Sequence, residues 1–462
     1  MKARCHGAAH VLAGLLAAPV LAGVAVPLTA FAADAPSRFG VDAPELAPPG
    51  ALAVGVKTLR LVQSRQPDVL APQADGSFAL RDRLLQVDVW YPATPTGRRR
   101  TRGARGILYS AELPSEPPAP PARFEIPGVA RRDAPVMPGS FPLVIVSHGY
   151  SNATVAMSWL TENLASKGYV VAAIRHEDPA ITDRTKFAAV LLRRPLDIGF
   201  VAARLQSDLA ADLHIDPSRT ALIGYSMGGY GVLTAAGASL DPQGGPAKVP
   251  GGLMLPYLRG GAGEARVRVD HVRAVVALAP AGGALKAWGE SGLADLRAPL
   301  LLIAGDQDHT VNYATGARAF FDAARNTTRY LLTFKEGGHA IGLDPVPEAM
   351  RAKLWDQDWF EDPVWRKDRI TAIEAHFITA FLDRYVKSDE SKASYLELAP
   401  ESDAGAWPAA TPAPAYDAYS PGSGDVTVWK GFQRNHATGL SWRHADPANG
   451  GAGRSAAGAP DP

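Results

Sequence analysis

The pentapeptide Gly224-Tyr225-Ser226-Met227-Gly228 lies between an apolar run, Thr220-Ala221-Leu222-Ile223, and a small-residue stretch with helical spacing over 229–238. A strand that turns at once into a helix must reverse within a few residues, and the helix must then pass close to the strand it left. Glycines on both sides of the bend permit this, since side chains there would meet backbone. The apex residue is lifted clear of its neighbours. Here it is Ser226, whose hydroxyl is then placed to attack an electrophilic carbon. So short a pattern arises by chance, and it is the strand-turn-helix setting that makes Ser226 a candidate nucleophile. The plainer alternative is a serine that only caps the helix.

From residue 141 onward short apolar runs alternate with helical periodicity. Strands are expected over 143–146, 169–174, 220–223, 272–278, 300–304 and 330–334. Helices are expected over 154–167, 195–212 with Pro195 in the first turn, 313–326 and 369–385. An alternating segment over 84–91 is expected to pair with one near 57–62. This alternation predicts an α/β fold, a mostly parallel sheet with helices on both faces. In such sheets ligands bind at the carboxyl ends of the strands.

The remaining segments frame that domain. Lys2 and Arg4 precede an uncharged stretch over 11–32 that ends in Ala30-Phe31-Ala32, which reads as an export leader (1–32) cleaved before Ala33. An uncleaved membrane anchor is the alternative. The expected location is secreted or periplasmic. Cys5, the only cysteine, falls inside the leader, so the mature chain would carry neither disulfides nor cysteine-ligated metal. Removing the leader leaves 45 basic against 46 acidic residues, which favours neither nucleic acid nor an anionic surface as partner. We expect an extended segment over 33–50, a main domain over 51–386 and a low-complexity tail over 387–462 with a small ordered piece at 426–443. Within the main domain, 93–140 reads as a surface excursion containing Arg98-Arg99-Arg100. Two insertions, 241–270 and 348–367 (with Trp355, Trp359 and Trp365), either wall a pocket or simply pack.

A serine hydroxyl needs a base within hydrogen-bond reach, and the base needs an orienting carboxylate. On this architecture the chain order is serine, acid, histidine. The acid should follow the 300–304 strand, where Asp306 and Asp308 compete. Asp308 is far enough past the strand to fold back, whereas Asp306 suits a turn that bonds nearby amides. Of His309, His339, His376, His436 and His444, His339 follows a strand and has glycines beside it. Oxyanion donors are expected from the Met227 amide and, in the loop Ser147-His148-Gly149-Tyr150, the Tyr150 amide. His148 is expected to brace that loop. His176-Glu177-Asp178 could suggest a metal, but three adjacent residues do not converge easily on one ion.

Three ordered stretches, 141–149 (Phe-Pro-Leu-Val-Ile-Val-Ser-His-Gly), 164–171 and 216–229, resemble the α/β-hydrolase superfamily. More narrowly, they resemble secreted bacterial esterases grouped with dienelactone hydrolases and platelet-activating-factor acetylhydrolases. The resemblance covers roughly 80–385 and implies a serine esterase with the triad Ser226, Asp308, His339. No cofactor or metal is implied, and the partner would be a small-molecule or lipid-like ester. True dienelactone hydrolases carry a cysteine where this chain has Ser226, so that family name does not give the substrate. Cutinase-like polyester hydrolases share the Ser-Met-Gly-Gly elbow and the loop tyrosine, but usually carry tryptophan where this chain has Pro280-Ala281-Gly282. A peptidase or amidase on the same fold, a polyester hydrolase and a binding protein that has lost catalysis are the alternatives.

Overall fold

The computed structural model describes residues 39–95, 106–113, 121–180, 183–351, 360–406, 428–433 and 435–448. The leader read over 1–32, the triple arginine at 98–100, Trp355 and Trp359 lie outside them.

A long antiparallel pair opens the fold, β1 (Ala53–Pro72) and β2 (Phe78–Ala93), with Thr58 opposite Asp88. A separate hairpin follows, β3 (Leu108–Leu113) and β4 (Ala122–Pro127), then the two-residue β5 (Arg131–Arg132) beside β1. The parallel centre consists of β6 (Phe141–Ser147), β7 (Val170–Arg175), β8 (Ile215–Tyr225), β9 (Val272–Leu278), β10 (Leu300–Gly305) and β11 (Arg329–Phe334). An antiparallel β12 (Leu440–Ala445) closes one edge. The ten strands of the main sheet run β12-β11-β10-β9-β8-β6-β7-β2-β1-β5.

The central strands read as unbroken apolar runs because both faces are covered. Leu143 and Ile145 face the helices α2 (Phe187–Gln206) and α3 (Met227–Ala235), packing with Val201, Leu205 and Leu233. Val144 and Val146 face the opposite layer with Leu160, Leu164, Ile370 and Phe377. That layer contains α1 (Ser158–Ser166) and a long C-terminal helix over 367–385. Each such side chain contributes about 1.5–3 kcal/mol by leaving water. Between the layers' helices in chain order come the short α4 (Ala319–Ala323) and α5 (Glu348–Arg351), so the long helix is α6 (Lys367–Tyr385). Among the described residues no helix is long and apolar enough to cross a membrane.

Several elements differ from expectation. α2 begins eight residues before Pro195, which sits inside the helix. Proline has no N–H for the Leu191 carbonyl one turn back. The Tyr230 hydroxyl on α3 donates to that carbonyl instead, at 3.1 Å, so a tertiary contact supplies the missing donor. The helix expected over 313–326 is broken at Gly316 (φ −101°, ψ −113°) into a wide turn and α4. Within 93–140, the β3–β4 hairpin buries Tyr109, Phe124 and Ile126. The Tyr109 hydroxyl accepts from Trp90 Nε1 (2.8 Å) and donates to Glu162 (2.6 Å). Of the two readings for the 241–270 insertion, its packing is seen: Met254, Leu258 and Val267 pack into the core around α2 and α3. Trp365, from the second insertion, lies edge-on to Phe334 at 5.0 Å.

Candidate active site

Ser226 sits at the junction of β8 and α3 with φ 53° and ψ −116°, a backbone state that side-chain-bearing residues rarely occupy. The surrounding glycines hold it there. A Cβ on Gly224 would lie 2.2 Å from the Gly228 carbonyl oxygen, and one on Gly228 would lie 1.8 Å from that of Ser147. A Cβ on Gly229 would meet Pro280 Cα at 2.7 Å. The close approach of helix and strand therefore requires glycine at all three positions.

Three loops at the carboxyl ends of β8, β10 and β11 converge. His339 Nε2 is 3.0 Å from Ser226 Oγ, and His339 Nδ1 is 2.8 Å from Asp308 Oδ2. Asp308 is buried, and its other oxygen accepts from the Thr310 and Val311 amides at 2.9 and 3.1 Å. A carboxylate facing Nδ1 keeps the proton on that nitrogen, which leaves Nε2 to accept from the serine hydroxyl. Asp306 lies outside this group and accepts from the Glu336 amide at 2.7 Å. His309 is exposed, His376 is buried in α6, and His444 stacks on Tyr330 at 4.5 Å.

The loop carrying His339 is held from three directions. The Tyr225 hydroxyl donates to the His339 carbonyl at 3.1 Å, and the two rings lie 5.2 Å apart. Burial and the nearby Asp308 and Glu374 push the Tyr225 phenol well above its ordinary range, so it stays a donor. The Gly338 amide donates to Asp362 at 2.7 Å. Lys367 Nζ donates to the Ala340 carbonyl.

Ser226 opens onto a cleft of about 400 Å³. Tyr150 and Phe187 form one wall, with rings edge to face at 5.5 Å. Leu285, Val311 and Leu343 also line the cleft. Among the described lining residues none is Asp, Glu, Lys or Arg. The amides of Met227 and Tyr150 both belong to residues lining it.

Beneath the loop 147–150 lies a buried polar network that inspection of the sequence does not reveal. His148 Nδ1 donates to the Gly149 carbonyl at 2.7 Å, and its Nε2 accepts from the His176 amide at 3.2 Å. His148 thus braces the loop as a neutral ring. Burial first, then Arg194 and His176, hold its pKa well below the ordinary value. His176 bridges Ser147 Oγ (2.9 Å) and Asp197 (3.1 Å). Burial and Arg194 lower its pKa too, against the pull of Asp197. Burial raises the Asp197 pKa, but Arg83 at 2.7 Å and His176 outweigh it and bring it to about 2. Asp178 instead pairs with Arg194, and Glu177 is half-exposed near Arg83 and Arg193. The adjacent His176, Glu177 and Asp178 thus turn to different partners. The available signal was charged residues, Arg194 and Asp197, on the otherwise apolar face of a helix.

Residues 135–243 match the model of the PET hydrolase-like family. Cutinase 2 of Thermobifida cellulosilytica is 27% identical over 186 residues, covering 40% of this chain and 54% of that protein. Cutinase est2 of Thermobifida alba is 33% identical over 102 residues, covering 22% of this chain and 32% of that one. The chain thus spans about half or less of the length of these relatives. Among solved structures, a ferulic acid esterase from Streptomyces cinnamoneus aligns with a TM-score of 0.49 at 22% identity, over 75% of this chain and 94% of that one. The crossover order of the parallel strands and the elbow between β8 and α3 are those of the α/β-hydrolase fold, and over 135–243 the chain is similar to the PET hydrolase-like family.

Proposed function

We propose that the chain is an exported serine hydrolase of uncharged, largely apolar carboxylic esters. The observation that carries this reading is the relay from Ser226 through His339 to Asp308, which opens on an apolar cleft with no Asp, Glu, Lys or Arg among its described lining residues. His339 Nε2 takes the Oγ proton as the oxygen attacks the ester carbonyl, and Asp308 steadies the imidazolium. Negative charge then develops on the carbonyl oxygen, where the Met227 and Tyr150 amides donate to it. Collapse expels the alcohol, which takes its proton from His339, and leaves an acyl group on Ser226. Water, deprotonated by the same imidazole, attacks this acyl-enzyme; the acid departs and the serine recovers its proton. The basic, apolar stretch at the N-terminus supports export.

Ser226→Ala tests the reading on short acyl esters. We expect activity to fall by about 10⁴-fold or more. Activity within tenfold of the parent would remove the serine mechanism. A second reading, hydrolysis of an insoluble polyester, is favoured by the similarity of 135–243 to the PET hydrolase-like family. Release of soluble acid fragments from a polyester film, absent with Ser226→Ala, would support it.

A further inference from the structure

The oxyanion loop has to present one amide to the cleft, and the network beneath it offers a physical reason why it does so. Arg194, from the middle of α2, is completely buried. Its guanidinium donates to the carbonyls of two consecutive loop residues, His148 and Gly149, the latter at 3.0 Å. It also reaches Ser147 Oγ at 3.3 Å. The same Nη2 that donates to Gly149 also pairs with Asp178, in the loop after β7, and the same Asp178 oxygen accepts the Ser151 amide at 2.9 Å. The Gly149 carbonyl therefore receives two donors from inside the protein, Arg194 and His148 Nδ1. In a trans peptide the carbonyl oxygen and the following N–H point in opposite directions. The N–H that shares a plane with the Gly149 carbonyl is that of Tyr150. Drawing this oxygen inward turns the Tyr150 N–H away from Arg194. No backbone carbonyl among the described residues accepts it.

Resting on the hydrolase reading above, we propose that the Arg194–Asp178 pair is the positioning device of the oxyanion hole: it fixes the Gly149–Tyr150 peptide plane so that the Tyr150 amide faces the carbonyl oxygen attacked by Ser226. Arg194 touches no substrate and acts through the loop. A planar guanidinium can serve two adjacent carbonyls and a carboxylate at once, whereas an ammonium cannot match that geometry. The pair also holds the loop at both ends, with His148 and Gly149 on the arginine and Ser151 on the aspartate. A loop fixed in advance needs no reorganisation when charge develops on oxygen, and that is where an oxyanion donor gains its effect.

The test uses the full chain and a short-chain chromogenic ester, with an alkylboronic acid as tetrahedral mimic and Ser226→Ala as reference. Arg194→Met should lower kcat by about 10²-fold, comparable to losing one oxyanion donor, and leave KM within about threefold. The inhibition constant of the boronic acid should rise in parallel with the loss in kcat/KM, a coupling that a general packing defect would not produce. Arg194→Lys should recover part of the loss. Asp178→Asn keeps size and acceptor and decides the matter if Arg194→Met does not fold; it should lower kcat about tenfold with the same boronate signature. A folded Arg194→Met, or an Asp178→Asn, with kcat within threefold of the parent and unchanged boronate affinity overturns the proposal. If Ser226→Ala is inactive while the clamp variants are fully active, only the clamp fails. If Ser226→Ala stays active, the hydrolase reading fails and the clamp with it.

Discussion

At the scale of single residues, the tautomer of His339 is the most exposed point of the proposed mechanism. Asp308 Oδ2 faces Nδ1 while Oδ1 is occupied by two backbone amides. In Asp308→Asn the amide oxygen can keep the Thr310 and Val311 amides, so the loop should hold its shape. The amide nitrogen would then face Nδ1 and donate to it, which moves the imidazole proton to Nε2. An Nε2–H cannot accept from the Ser226 hydroxyl. We expect kcat to fall by about 10⁴-fold with a melting temperature close to that of the parent. A loss below tenfold would show that the acid is supplied elsewhere. The convergence of Ser226, Asp308 and His339 was legible in the sequence because each follows an apolar run at a distance typical of a strand end. That of Arg194, Asp178, His176 and Asp197 was not. Two charges on the apolar face of α2 could mark Arg194 and Asp197 as buried, but their pairings cross to the loops after β6 and β7, and no local spacing tells which groups they meet there.

At the scale of elements, the central strands were legible because strands buried on both faces must be continuously apolar. The start of α2 was not. Proline is common in a first turn, and that preference placed the helix at Pro195, yet the observed helix runs through it from Phe187. The reason lies on another helix, in the Tyr230 hydroxyl that takes up the Leu191 carbonyl. A tertiary donor of this kind is testable by a double-mutant cycle. Tyr230→Phe should cost about 1–3 kcal/mol, because a buried carbonyl loses its partner. With Pro195→Ala in place, the restored backbone N–H can serve Leu191, and the cost of Tyr230→Phe should shrink by about half or more. Equal costs in both backgrounds, measured by denaturant unfolding, would show that the hydroxyl does not compensate for the proline.

At the scale of the whole molecule, the layered α/β plan followed from alternation, whereas the partners of the edges did not. β12 overlaps the small ordered piece expected at 426–443 within the tail, but its pairing with β11 was not expected, and it adds Trp442, which stacks on Phe377 at 4.9 Å. The balance of buried ionisable groups is another property of the entire fold, and it fixes how stability depends on pH. His148, His176 and His376 are all buried with lowered pKa values, His376 to about 3 chiefly through burial. Above their unfolded value of about 6.5 neither state binds these protons. As pH falls below it, the unfolded chain takes up protons that the fold refuses, so stability is lost by up to roughly 1.4 kcal/mol per pH unit for each histidine. Glu374 acts in the opposite sense. Burial raises its pKa, so the fold retains a proton that the unfolded chain releases above about 4.5, and its contribution is lost as pH rises. Between about pH 6.5 and 4.5 the lowered histidines and the raised glutamate act in opposite senses, and the histidines are the more numerous, so unfolding should take up protons net. The melting temperature should therefore fall steadily across that window. His376→Asn keeps an acceptor near the position of Nδ1, which takes the Leu46 amide at 3.1 Å, and removes the titrating ring. Its stability-against-pH curve should lose about one proton of slope. A parent curve flat from pH 6.5 to 4.5, or an unchanged slope in His376→Asn, would mean that these rings can be protonated in place without opening the fold.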